Sequence, residues 1–277
     1  MKYSNRLAIY SKLIPLGKLK RLLFIALLVV FGCEDKEKDC AGVEGGTTVV
    51  DCSGECGGSL VEDECGVCDG DGSTCILDYD GNIYSTIQIG DQLWLVENLQ
   101  VTHYNNGDEI PTNYGYFEWE HASSGAYAIY DEDSSIGQMY GFLYNWFAVG
   151  DERGICPIGW HVPSDDEFTI LVDYIGGEDI AGGKMKESGH EHWGYYSDEA
   201  TEGATNESGF TALPGGFRHE SAGSFHSLGS DAYFWSSTEM SDGGIPARCR
   251  QLYKEGSLID RTGRDKNSGF SVRCVKD

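Results

Sequence analysis

The chain has 277 residues, with 45 acidic against 20 basic side chains, 10 Cys and 38 Gly, for a net charge of −25. That length accommodates one large or two small domains. A surface this acidic repels phosphate and no basic patch interrupts it downstream, which excludes a nucleic-acid backbone binder.

The basic residues are uneven: Lys2, Arg6, Lys12, Lys18, Lys20 and Arg21 all precede the first acidic residue, Glu34. An apolar run from Leu22 to Phe31 follows them, too short to span a bilayer comfortably and of the right length for a signal-peptide core. The run ends in Val30-Phe31-Gly32-Cys33, which resembles a lipobox and marks Cys33 as the lipidated residue of a mature lipoprotein, with residues 1–32 as signal peptide. Phe31 is bulkier than that motif usually carries, and a plain secretory signal is the alternative. The charged stretch Glu34 to Asp39 reads as a solvated tether, residues 33–39, resembling the export signal of surface lipoproteins. Either reading makes the protein extracytoplasmic. The lipobox places it in the outer membrane or at the cell surface, held to the membrane by a lipid anchor.

Residues 40–75 carry Cys40, Cys52, Cys56, Cys65, Cys68 and Cys75 among Gly and Asp, a density that leaves no room for a hydrophobic core. CAGVEGGTTVVD at 40–51 aligns with CSGECGGSLVED at 52–63, a repeat of 12 residues. Export favours a spacer stapled by three disulfides over a four-thiolate zinc knuckle, and six Cys allow 15 pairings. Asp63, Asp69 and Asp71 could supply oxygen ligands to calcium, but an EF-hand register starting at Asp69 puts Thr74 where Gly is required and Asp80 where a bidentate Glu is required. Turn-forming Asp-Gly pairs explain these residues without a metal, so no cofactor is expected and calcium is the weaker reading.

From Ile76 the composition shifts to an aromatic-rich, Gly-punctuated pattern, one domain by length. Ile83 to Ile89 alternates and meets Gln92 to Leu95 across Gly90-Asp91, which predicts a hairpin with a two-residue turn. Met139 to Val149 is apolar enough for a buried helix or strand, of which a short helix is the favoured reading. Ser164, with Glu167 three residues on, predicts a capping box that starts a helix over 165–175; Phe168, Leu171, Val172 and Ile175 form its buried face and Gly176-Gly177 its stop. Beyond Gly182-Gly183 the chain becomes loop-rich, with strand-like pieces at Phe210 to Leu213, Tyr233 to Ser236, Ala247 to Tyr253 and Gly269 to Val275. Helices early and short strands late predict an α+β domain.

Five stretches carry a resemblance: DGNIYSTIQIGDQLWLVENL at 80–99, CPIGWHVPSDDEF at 156–168, ATNESGFTALPGGFR at 204–218, YFWSSTE at 233–239 and GFSVRCVKD at 269–277. In that order they resemble the Fibrobacter succinogenes major paralogous domain, over nearly all of 76–277. The resemblance implies an exported lipoprotein or surface protein with a C-type lectin-like domain of long irregular loops, and more distant similarity to the formylglycine-generating scaffold. It also implies a Cys156–Cys274 disulfide, which leaves Cys249 unpaired and three readings open: a free thiol, an intermolecular link, or a different pairing in the N-terminal segment.

The candidate chemistry is sparse. His190-x-His192 lies among Gly and Glu in a loop, where two His seldom make a metal site. No GxSxG elbow is present, and Cys249 lacks the close Cys partner that a formylglycine-generating mechanism uses. The calcium motifs of lectin long loops, Glu-Pro-Asn and Gln-Pro-Asp, are missing. Sugar binding would then rest on loop aromatics, with Tyr116, Trp119, Trp193, Tyr195 and Tyr196 as candidates, while Trp94, Trp146, Trp160 and Trp235 are expected in the core. The expected function is binding of a polysaccharide or a surface protein; the alternatives are an enzyme on the formylglycine-generating scaffold, using Cys249 or a His-lined site, and a purely structural surface protein.

Overall fold

The structure is a computed structural model that describes residues 37–63, 68–70, 75–189, 191–194, 204–240 and 246–277. The chain divides into two compact units, Met1–Val49 and Val50–Asp277.

In the first unit, Asp39 organises a tight loop: its Oδ1 accepts the backbone N–H of Ala41 (3.1 Å) and Val43 (2.8 Å), and its Oδ2 that of Thr48 (3.2 Å). In the second unit Asp51 repeats the pattern twelve residues on, taking the N–H groups of Ser53, Glu55 and Leu60. The 12-residue repeat is therefore a structural repeat, in which one carboxylate replaces the core that so short a segment cannot build. Cys52 is bonded to Cys68, and Cys40 and Cys56 are also in disulfides. Cys65 and the side chain of Cys75 lie outside the described residues.

The second unit contains both helices and antiparallel strands. Strands β1 (Cys75–Leu77), β2 (Ile83–Ile89), β3 (Gln92–Leu95), β6 (Trp160–His161) and β12 (Val275–Lys276) form a sheet in the order β1-β2-β3-β12-β6. The β2–β3 hairpin turns at Gly90-Asp91 with Ile89 opposite Gln92, as the alternation predicts, and Gly90 supplies the left-handed φ of +60°. Strands β9 (Asp231–Glu239), β10 (Pro246–Tyr253) and β11 (Ile259–Asp265) form a second antiparallel sheet, and β4 (Tyr127–Ala128) pairs with β5 (Leu143–Tyr144). A further two-stranded ribbon joins β7 (Gly215–Arg218) to β8 (Phe225–Leu228).

The helices are α1 (Tyr116–Glu120), α2 (Ser134–Tyr140), α3 (Trp146–Val149), α4 (Asp165–Ile175) and α5 (Glu178–Met185). Helix α4 has the full capping box between Ser164 and Glu167 and buries Phe168, Leu171, Val172 and Ile175. Its Phe168 meets Trp94 at 5.3 Å between ring centroids, and Phe210 meets Trp94 at 5.7 Å, so helix, sheet and loop share one aromatic core. Trp94, Trp160 and Trp235 are buried, whereas Trp146 is half-buried beneath Lys266.

Several expectations are corrected. Met139 to Val149 is not one helix. It contains the end of α2, strand β5 and α3, because Gly141 breaks the first helix at φ +79° against Asn98 and Asn145 caps the next by accepting from the Ala148 N–H. The loop-rich stretch begins later than Gly182-Gly183, which lie inside α5. A Cβ on Gly182 would run into the carbonyl of Leu258, so this glycine allows a close helix–backbone approach. Phe210 to Leu213 holds only one isolated bridge, Lys186 to Ala212, and Thr211 has a left-handed φ of +53°. Gly269 to Val275 enters the sheet only at its end, having first bridged Tyr144 and Phe234.

Candidate functional site

The most built-up surface feature surrounds the β7–β8 ribbon. Gly216, at φ +64°, permits it: a Cβ there would collide with the backbone of His226 and Leu228 across the ribbon. Successive side chains of a strand point to opposite faces. Phe217 and His219 therefore face one cleft and Arg218 the other, with Phe217 opposite His226 and Arg218 opposite Phe225.

The Phe217 cleft encloses about 240 Å³ and is lined by the aromatic Phe217, Tyr233 and Phe270 together with the polar His219, Glu220, Arg264 and Ser268. Tyr233 stacks on Phe270 at 4.7 Å and 15°, and Phe217 meets Tyr233 edge-on at 5.1 Å. Gln251 Nε2 donates to the Tyr233 hydroxyl at 2.6 Å and Arg264 Nη2 donates to Gln251 Oε1 at 3.0 Å, which fixes the polar edge of the aromatic wall.

The Arg218 cleft encloses about 180 Å³ and is lined by Thr112, Asn113, Tyr114, Tyr127, Ile129, Glu132 and Phe225 around Arg218. Arg218 is buried, at 6 % exposure. Its backbone exchanges two hydrogen bonds with Gly269, whose missing side chain leaves room for Arg218 and Trp119 together. The guanidinium carbon lies 4.2 Å from the Trp119 ring and 5.3 Å from the Phe225 ring. Nε donates to the Gly223 carbonyl at 3.0 Å and Nη2 to the Tyr114 carbonyl. Burial pushes the Arg218 pKa down to about 10, with Glu132 opposing. Asn113 (φ +58°) and Glu132 (φ +58°) hold left-handed backbone at the rim, as does neighbouring Asp131 (φ +50°).

The aromatic candidates separate. Tyr116 is exposed on α1 beside the Arg218 cleft. Trp119 is fully buried and supports Arg218 from within, which corrects its reading as a binding platform. Trp193 is also fully buried, with Nε1 donating to the Ala212 carbonyl, and offers no face to a ligand. Tyr195 and Tyr196 lie outside the described residues. The residues that line the clefts, Arg218, Phe217, Tyr233 and Phe270 above all, were missed by sequence reasoning. Their one local signal was the glycine pair before Phe217.

Asp69 adopts a left-handed turn at φ +55°, and Asp71 lies outside the described residues, as do Cys33 and its leader. Asp63 is among the described residues and is not without a partner. No group of three metal-ligating side chains converges among the described residues, and no described helix is long and apolar enough to cross a membrane. Cys156 is bonded to Cys274. Cys249 is free and buried, and desolvation pushes its pKa up to about 12, the opposite of what a nucleophile needs.

The model of the Fibrobacter succinogenes major domain matches residues 87–276, more than two-thirds of the chain, and the protein belongs to that family. No curated protein and no solved structure matches it.

Proposed function

We propose that this protein is a lipid-anchored bacterial surface protein that displays a C-type lectin-like module and binds an extracellular ligand, with polysaccharide as the first ligand class. The observation that carries the binding reading is the pair of clefts on opposite faces of β7, each combining aromatic walls with hydrogen-bonding side chains, which is the chemistry of a carbohydrate site. The lipid anchor rests on the apolar run that stops at Cys33, and the long ordered loops and the Cys156–Cys274 bond support the lectin-like reading. A buried, high-pKa Cys249 disfavours the enzymatic alternative.

Retention of the full-length protein on columns of neutral and acidic polysaccharides tests the binding, and pull-down from the cell envelope tests a protein partner in place of a glycan. Retention on neither, together with an empty pull-down, would remove the reading. The anchor is tested separately: Cys33→Ala is expected to move the protein out of the membrane fraction, and unchanged fractionation would contradict lipidation.

A further inference from the structure

The buried basic side chains of this acidic protein are not equivalent. Lys186 donates to the carbonyls of Tyr253, Lys254 and Gly256 at 2.7–3.2 Å. Arg273 donates to Asn98 Oδ1 and to the carbonyls of Leu95 and Phe210. Arg250 has the Asp165 carboxylate 3.0 Å away. All three are enclosed in the core, at 2 % exposure or less. Arg218 instead lines a cavity.

Among the described residues no carboxylate lies within ion-pair distance of Arg218, and its two hydrogen bonds go to neutral carbonyls through Nε and Nη2. Nη1 makes no hydrogen bond with the described residues. A buried guanidinium beside two rings, on a side chain that lines a cavity and with one amino group unused, is set to receive an anion, and a carboxylate matches its planar geometry. The rim supplies different chemistry: the Glu132 carboxylate accepts hydrogen bonds, and the Asn113 amide donates and accepts them. An occupant therefore has one acidic group and hydroxyls beside it.

The size narrows the choice further. The cleft's 180 Å³ is below the roughly 300–1,000 Å³ of a pocket for a drug-sized ligand, so it admits one end-group and not a length of chain. The net charge points the same way, since a polyanion lying along this surface would be repelled whereas a single acid inserted against Arg218 is not.

We infer that the Arg218 cleft binds a single uronic-acid residue of a glycan, with the sugar carboxylate on Arg218 Nη1 and the ring hydroxyls toward Glu132 and Asn113. The inference rests on the glycan-binding reading above and specifies its ligand.

Titration of the full-length protein with galacturonate and glucuronate, their methyl esters, galactose, glucose and glycine, followed by calorimetry or ligand-detected NMR, tests it. Uronates are expected to bind about tenfold or more tightly than the esters and the neutral sugars, the size of a charge-assisted hydrogen bond that the esters lose. Arg218→Met is expected to abolish that preference, and Ile158→Ser, at an exposed side chain that lines neither cleft, to keep it. If Arg218→Met does not fold, the acid–ester comparison on the unaltered protein decides alone. Asn113→Gly, which relieves a left-handed backbone, is expected to fold and to weaken uronate binding several-fold. Equal affinity for acids, esters and neutral sugars would overturn the uronate assignment and leave glycan binding standing. A preference for glycine over uronates would overturn the sugar class in favour of an amino-acid or peptide terminus. Binding of none of these probes, with polysaccharide columns also empty, would remove both.

Discussion

His161 Nε2 and Glu167 Oε1 lie 2.8 Å apart, while the other ring nitrogen of His161 lies 2.7 Å from Asp277 Oδ1, so one imidazole joins strand β6, the first turn of α4 and the residue after β12. Burial works against its charge, but the hydrogen bonds to Asp277 and Glu167 outweigh it and raise its pKa above the ordinary 6.5. A histidine with a raised folded pKa contributes stability that is complete below its unfolded pKa and is lost as pH rises through the folded one. Denaturant midpoints are therefore expected to fall as pH rises from below 6.5 into the mildly alkaline range. His161→Gln should flatten that part of the profile, and an unchanged slope in the variant would assign it elsewhere.

The Cys156–Cys274 bond closes a loop across 118 positions of sequence. In the chain-entropy model a closure of that size contributes about 4–5 kcal/mol by restricting the unfolded chain. Replacing both cysteines with Ala should lower the free energy of unfolding by about that amount in urea, at constant oxidation of the Cys52–Cys68 bond. A loss below about 1 kcal/mol would mean that the unfolded chain is already compact, or that the bond is strained.

Gly182→Ala sets helix propensity against packing. Ala is favoured over Gly by about 1 kcal/mol inside a helix. At this position its Cβ meets the carbonyls of Leu258 and Ser257, which are backbone and cannot rotate away. The variant is expected to lose about 1–3 kcal/mol in thermal or urea unfolding, and a gain in stability would show that the loop carrying Leu258 yields.

Cys249 sits on β10 at 1 % exposure, opposite Trp235 on β9. With its pKa pushed to about 12, the thiol is expected to resist a disulfide-exchange reagent at pH 8 in the native protein and to react fully after unfolding. Fast native labelling would reopen the catalytic reading of this residue.

Local chemistry wrote some of this fold openly. The capping box of α4 is a contact between residues three apart, and the β2–β3 hairpin is set by Gly90-Asp91, so both can be read without knowing the rest of the chain. The 12-residue repeat was equally legible because Asp39 and Asp51 each organise only the few residues after them. Met139 to Val149 misled because hydrophobicity alone does not separate a buried strand from a buried helix, and the break at Gly141 depends on the distant Asn98. The tryptophans misled in the same way. Trp119 and Trp193 have polar neighbours in sequence, yet both are fully buried, one beneath Arg218 and the other beneath Lys186.

By itself, the sequence determined the acidic character of the chain, its family, its capped helix and its first hairpin, all properties of composition, of motifs or of neighbours within a few residues. Only the tertiary structure decided where a ligand could sit. The Arg218 cleft joins a guanidinium to a carbonyl 104 positions earlier and to an indole from α1, on a ribbon whose close packing needs glycines at 216 and 269, where the effect is the absence of a side chain. Such a site is made by long-range burial that leaves one donor unspent, and no local pattern encodes that balance.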